Sequence, residues 1–399
     1  MKNFTSILAA LFSLTASAAQ VGSAYQVYRM GSSGTIPAFG AIDVSQSAAV
    51  TGVLKPANGG DTPRNLIING GFDLWQRGIS FSSTTGIRYT ADRMQARSTG
   101  TTHSVDRGTF TPGQTSVPGE PQYNFQFNTT TSAGASNNGF IRTHIEDVRN
   151  CAGQTCTLSF WAVSPGGNKN IATEFFQNFG SGGSPSAEVT AIGVTTHAVT
   201  TSWQKFTVTV SFPSISGKTI GTNANTNFLG LNIWVDCGSS FSARCNSIGQ
   251  QSAGLQFASM SLVYGSNSPD VFQRAGGSIG GELALAQRYY EKSYATETDP
   301  ATSTTSGLEY SACRYASPTT IDHCNRIPFK VTKRDNPSCS LWNDTGTANQ
   351  WKNQSNSSLA TSVDTANPRG FNITSTADSG KTTEQGAGWY GHWACDADF

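Results

Sequence analysis

The sequence predicts an all-β protein whose working part is an antiparallel β-sandwich. Three observations predict it. Apolar and polar residues alternate in short runs between residues 65 and 265, the period of a strand with one buried face. Turn formers separate those runs, and the 399-residue chain holds 42 glycines. No segment in that span carries a helical apolar period, so short strands joined by turns are the economical reading.

The chain begins with Lys2 and the apolar run Ile7 to Leu14, followed by Ser17-Ala18-Ala19. That pattern fits a secretory signal over residues 1–19, or an amphipathic anchor segment that stays on the protein. Residues 1–64 otherwise form a glycine-punctuated arm. Its apolar residues Ile42, Val44, Val50, Val53 and Leu54 are too few for a core, so they are expected to pack on another subunit or another protein, or to form an ordered linker.

Asn65 to Gly78 is expected to open the sandwich as its first strand, with a turn at Asn69-Gly70-Gly71 and Trp75 sealing one end. Later strands are explicit. Phe206, Val208, Val210 and Phe212 alternate with polar residues, as do Leu158, Phe160 and Ala162. Leu231, Ile233 and Val235 point one way and leave Asn232 and Trp234 on the other face. Ile141, Thr143 and Ile145 likewise leave Arg142, His144 and Glu146 outward. The sandwich is expected to span 65–265, with a connecting segment at 266–295 and a small β domain at 296–399. One helix is expected from Gly281 to Tyr294, bearing two apolar stripes. Two stripes require cover on two sides, from two domains or from copies around a threefold axis.

Composition narrows the function. Charged residues make up 13% of the chain, against about 25% in average proteins, and the net charge is +1. No basic stripe points to nucleic acid. No internal apolar run is long enough to insert in a membrane. Eight cysteines fall as Cys151 and Cys156, Cys237 and Cys245, Cys313 and Cys324, and Cys339 with the distant Cys395. None has CxxC spacing, and local couples of even number read as disulfides formed in an oxidising compartment.

Several motifs in one order resemble the jelly-roll, carbohydrate-binding-type modules of tailed-phage tail fibres and related virion proteins. They are Asn65 to Gly78, Tyr89 to Arg93, His144 to Arg149, Gly153 to Trp161, Gln177 to Pro185, Trp203 to Phe206 and Phe212 to Thr219. Gly281 to Lys292 and the end Gly391 to Phe399 are similar to the segments C-terminal to the module in those proteins, and Ala41 to Gly60 resembles their arms. The resemblance implies a receptor-binding fibre protein of the virion, assembled as a homotrimer. It would contact other virion proteins through its arm and host-surface glycan through its sandwich. A structural head or collar fibre, a decoration protein and a secreted bacterial carbohydrate-binding protein are the alternatives. Cys151 and Cys156 depart from the family's usual residues, and the signal-like start is foreign to a virion protein.

The sequence offers no catalytic set. Glu146, Asp147 and Asp236 are isolated carboxylates, and the five histidines have no metal spacing. An enzyme is therefore not expected, nor a cofactor. A structural calcium at Asn69 and Asp73 would lack most of its oxygens. For sugar, an aromatic face beside planar polar side chains is the needed chemistry. Trp234 with Asn232, Arg142 and His144 supplies it on the outer sheet unless a loop or a neighbouring subunit covers Trp234, and Trp389 with Trp393 is a second candidate at the C-terminal tip unless these rings form the small core of that domain.

Overall fold

The computed structural model describes residues 64–314, 322–375 and 386–399, and two short paired strands, β1 (Tyr28–Arg29) and β2 (Ala38–Phe39). The chain divides into two compact units, Met1–Thr62 and Pro63–Phe399. Residues 1–19 and the arm residues Ile42, Val44, Val50, Val53 and Leu54 lie outside the described residues.

The sandwich strands are β3 (Ser80–Tyr89), β4 (Met94–Thr109), β5 (Tyr123–Thr130), β6 (Asn138–Glu146) and β7 (Thr155–Val163). They continue as β8 (Lys169–Asn178), β9 (Val189–Val199), β10 (Gln204–Ser211), β11 (Phe228–Cys237) and β12 (Ala253–Tyr264). Hydrogen bonds connect them in the order β10-β7-β12-β5-β4-β6-β11-β8-β9, with β3 beside β4, and every pairing is antiparallel.

One long strand folds this path into two layers. The first half of β4, Met94 to Gly100, pairs with β6, and the second half, Thr102 to Thr109, pairs with β5. Between them the register slips at Thr99/Gly100, and Gly100 takes a φ of 68°. A bulge of that kind bends a strand and lets it serve two sheets. The inward residues of both layers meet in one core. Phe125, Leu158, Phe160 and Phe257 come from one side, and Ile141, Phe175, Leu231 and Ile233 from the other. The alternation in the sequence is thus realised residue by residue, because a strand must turn every second side chain to the same face. The fold class is all-β with a β-sandwich.

Asn65 to Gly78 is not the expected strand. It is a run of turns and extended residues without a ladder. Two backbone bonds tie it to β12, from Leu66 N to Leu262 O (2.8 Å) and from Met260 N to Gly70 O (2.8 Å), and Asp92 N donates to Leu74 O (3.0 Å). Side chains hold it instead. Asn65 donates to the carbonyls of Met260 and Gln273 and accepts from the amides of Ile67 and Leu262. Asn69 and Phe72 both sit at left-handed φ, 59° and 57°, outside the extended region of a regular strand. Trp75 does plug the core as expected, stacked 5.7 Å from Phe125 with its indole donating to Phe72 O.

The helix is shorter than expected, Ile279–Gln287, with the Ser278 hydroxyl accepting from Gly281 N at its start. Tyr290 to Lys292 belongs to a strand instead, β13, opposite Asp396 to Ala394. Local propensity favoured a longer helix there. The unpaired edge of the C-terminal strand overrides it, since each added residue gains ladder bonds and burial. Ala286, Tyr289, Tyr290 and Tyr294 are buried within the chain itself, so a threefold partner is not needed to cover them.

The remaining strands are β14 (Glu309–Arg314), β15 (Asp322–Cys324), β16 (Ile327–Pro328), β17 (Ser338–Trp342), β18 (Gln350–Asn353), β19 (Ser358–Asn367), β20 (Gly370–Ser375) and β21 (Gly386–Asp396). β21 organises them, pairing with β13, β14, β17 and β18. Trp351, Trp389 and Trp393 fill this sheet's own core with Leu341, Phe371 and Ile373. Trp389 and Trp393 therefore do not form a tip site for sugar. A small sheet with few aliphatic residues fills its interior with indoles.

Disulfides join Cys151 to Cys156, Cys237 to Cys245 and Cys339 to Cys395. Cys324 is also disulfide-bonded, and the backbone register sets Cys313 opposite it.

Candidate functional site

The outward face of the layer β4-β6-β11-β8 gathers arginine, amide, carboxylate and aromatic side chains. Antiparallel register lays its residues in cross-strand rows. One row runs Gln95, Arg142, Asn232, Glu174. The next runs Arg97, Phe140, Trp234, Ala172. A third sets His144 opposite Gly230 and Gly230 opposite Phe176. Gly230 is required there, because a Cβ would lie 2.1 Å from the Phe176 ring.

Glu174 is the buried centre of this face, and its oxygens are fully used. Oε1 accepts from Ala191 N (3.0 Å) and Arg244 Nε (2.6 Å), and Oε2 from Asn232 Nδ2 (2.9 Å) and Trp234 Nε1 (2.8 Å). The loop closed by Cys237–Cys245 delivers Arg244 to that carboxylate and lays Phe241 on Trp234, ring centroids 5.5 Å apart. Phe140 packs on Trp234 at 4.5 Å. Trp234 is 1% exposed. It is the floor of the face and offers no ring to a sugar; of the two readings, the covering loop is the one realised. Alternation decides which face a side chain leaves by; it does not say what a disulfide-closed loop places over it.

At the other end Phe399 closes the face. Its ring lies 4.8 Å from Phe228 and 5.3 Å from His144. His144 is therefore buried, and burial first, then Arg142, holds its imidazole neutral well below the usual pH range. Asn232 is also buried, held by Arg142 Nε (2.7 Å) and by Glu174.

Between the two covers, Arg97 and Arg142 are partly exposed. Their guanidiniums share the Phe140 ring, at 5.7 and 5.2 Å, and Arg142 and Arg244 share Phe176, at 4.5 and 5.8 Å. Burial, then Arg97 and Arg244, pull the Arg142 pKa down to about 9. Gln95 Oε1 and Arg244 Nη2 are buried without a partner. Of the expected residues, Arg142 and Asn232 are thus joined directly, while Trp234 and His144 flank them as buried supports. Gln95, Arg97, Glu174 and Arg244 were missed. The alternation Met94-Gln95-Ala96-Arg97 carried a signal for the first two, since Met94 and Ala96 enter the core. Nothing local marks Arg244.

The carboxylates considered for catalysis are engaged elsewhere. Glu146 binds Arg288 and the Tyr289 hydroxyl, which together hold its pKa below the usual carboxylate range despite partial burial. Asp147 pairs with Arg149, and Asp236 accepts from Thr101, Thr131 and the Gln251 amide. Asn69 spends its side chain on the backbone of Leu74 and Asp92, and Asp73 pairs with Arg274 at 2.8 Å, so the two do not make a calcium site. No group of three or more His, Cys, Asp or Glu among the described residues is placed to hold a metal. A cleft of about 530 Å³ beside Asp73, Tyr123, Arg274 and Glu297 has its charges paired internally, Arg274 with Asp73 and Glu297 with Arg107.

His103 and His197 are buried in the sandwich, bonded to Ser98 Oγ (2.8 Å) and Thr173 Oγ1 (3.0 Å). Burial lowers both pKa values to about 4. With folded values below the unfolded 6.5, the unfolded chain takes up these protons first. Stability is therefore retained above pH 6.5 and falls as pH drops toward 4. Denaturant midpoints at pH 7 and pH 5 test this; equal midpoints would refute it, and His103→Gln with His197→Gln should reduce the difference.

A scan against protein-family models gives no match, and neither does a search of the curated proteins. Solved structures do align with the chain. A family 11 carbohydrate-binding module from Clostridium thermocellum, in complex with a β-1,3-1,4-mixed-linked tetrasaccharide, is 10% identical with a TM-score of 0.29, covering 48% of this chain and 99% of its own. A xylan-binding CBM22 domain from Paenibacillus barcinonensis Xyn10C is 13% identical with a TM-score of 0.26, covering 48% of this chain and 99% of its own. The enzymatically active domain of bacteriophage CBA120 tailspike protein 4 is 11% identical with a TM-score of 0.27, covering 50% of this chain and 21% of its own.

Proposed function

We propose that the chain is a non-enzymatic external fibre protein of a phage virion whose β-sandwich binds glycan on the host-cell surface. The observation that carries glycan binding is the open band of the outer sheet. Among the described residues, Arg97 and the Nη groups of Arg142 are donors without a partner there, and Gln95 Oε1 is an unpartnered acceptor beside them. Sugar hydroxyls both donate and accept, so they answer both kinds of group, and the stiff aromatic floor of Phe140, Trp234 and Phe176 holds the donors in place. A buried acceptor left unmet costs about 1–3 kcal/mol, which a bound hydroxyl would return. The virion assignment draws on the ordered sequence motifs and on the arm that precedes the sandwich. Homotrimerisation draws on those motifs alone, and would multiply weak contacts by raising effective concentration.

The test is adsorption. Purified protein is expected to bind host cells saturably and to compete with the phage, and periodate treatment of the cells should abolish both effects. Binding that survives periodate would reject glycan as the receptor. A second reading, a secreted bacterial carbohydrate-binding protein, is favoured by the disulfides, which form outside the cytoplasm. An intact mass lacking residues 1–19 would support it, and the protein's presence in purified virions would exclude it.

A further inference from the structure

We propose that the glycan recognised on the outer sheet carries a carboxylate, seated among Arg97, Arg142 and Arg244. The inference rests on the glycan-binding reading and sharpens it to acidic saccharides, meaning uronates or sialates. It starts from a mismatch of charge. Three guanidiniums converge on this face, and the one carboxylate buried among them, Glu174, already accepts four hydrogen bonds. Only one of those four comes from an arginine, Arg244 Nε. Arg142 spends Nε on the neutral Asn232 oxygen, and among the described residues Arg97 has neither a hydrogen bond nor an ion pair.

Like charges on adjacent rows are unfavourable unless something answers them. Glu188, exposed at the rim and bonded to Asn178, is the other anion in reach of Arg97 and Arg142. The arginines do not avoid one another. Shared rings hold them together, Phe140 under Arg97 and Arg142 and Phe176 under Arg142 and Arg244. Planar guanidiniums held in place match a carboxylate with paired N–H donors. Arg244 Nη2, buried and unpartnered, and the Nη groups of Arg142 are free to supply them. Gln95 Oε1, buried and unpartnered next to Arg142 in its row, suits a ring hydroxyl adjacent to the acid group. A neutral saccharide would offer the guanidiniums hydroxyl acceptors but no charge to answer theirs.

The full chain is titrated calorimetrically with uronate- and sialate-bearing oligosaccharides, each beside its carboxyl-reduced counterpart. At least one acid form should bind about tenfold or more tightly than its reduced form, the effect of one charge-assisted hydrogen bond. Affinity should fall as NaCl rises. Arg97→Gln should weaken the acid form about tenfold and shift the thermal midpoint little, because among the described residues Arg97 loses only its place over the Phe140 ring and no hydrogen bond. Arg142→Gln should weaken it further, while Arg149→Gln, outside the face, should change nothing. Equal binding of acid and reduced forms would overturn the proposal and leave glycan binding standing. Equal competition by citrate would also overturn it, as a site for an anion only. Failure of every saccharide to bind, acid or neutral, would reject the glycan-binding reading as well.

Discussion

Arg93→Ala is expected to lower stability by about 3–5 kcal/mol, because it strips the partner from a buried charge. Arg93 is 1% exposed and joins three parts of the chain. Its Nη1 pairs with Asp398, its Nη2 donates to His144 O (2.8 Å), and its guanidinium lies 3.5 Å from the Tyr289 ring centroid. Asp398 keeps Arg77 (2.8 Å), but Arg77 must also answer Asp92 and Asp396. One guanidinium would then face three carboxylates. Phe399 follows Asp398 and covers His144, so loss of the pair should loosen the cover over one end of the outer sheet. Urea unfolding of the variant and the parent measures the loss, with Arg149→Ala as the surface control, expected within about 0.5 kcal/mol. A change of less than about 1 kcal/mol for Arg93→Ala would mean that the tail is not held by this pair.

Asn69→Ala should cost about 3–4 kcal/mol. Three side-chain bonds are lost, to Leu74 N (3.0 Å), Leu74 O (2.9 Å) and Asp92 O (3.0 Å), each worth about 1 kcal/mol. Alanine at a φ of 59° adds about 1 kcal/mol of backbone strain. Asn69→Gly separates the two contributions, since glycine accepts the conformation and still loses the bonds. It should recover about 1 kcal/mol of the loss. The Asn69 amide also donates to Glu282, whose carboxylate is buried at the start of the helix and accepts from Gly276 N as well. Burial raises the Glu282 pKa, so displacing the Asn69 amide should raise it further. Equal stability of the Ala and Gly variants would refute the strain contribution.

Much of the sandwich was legible because its signal is local. In Lys205 to Phe212 and Leu231 to Val235 the period of two fixes which side chains enter the core, whatever the neighbours are. The disulfides were legible in the same way, since Cys151 with Cys156 and Cys237 with Cys245 are close in sequence. Asn65 to Gly78 misled because its apolar residues resemble a strand, while its conformation is set by side-chain bonds from Asn65 and Asn69 to residues far along the chain. The helix was overextended because Tyr290 to Lys292 finds strand partners in Asp396 to Ala394, about a hundred residues away.

The outer face divides along the same line. Sequence alone determined that Asn232 and Trp234 leave the sandwich by one face, because pleat geometry requires it, while the pairing of β11 with β6 decided that Arg142 joins them. The sequence also pointed to a sparsely charged, disulfide-linked β protein. Tertiary structure alone decided that Trp234 is covered and that Arg244 reaches Glu174, because the Cys237–Cys245 loop folds back over the sheet. Phe399 and Arg97 arrive from opposite parts of the chain to define what stays open. Which residues share a face is a property of neighbours in sequence, but which of them remain open to a ligand depends on chain segments that meet only when the whole molecule has folded.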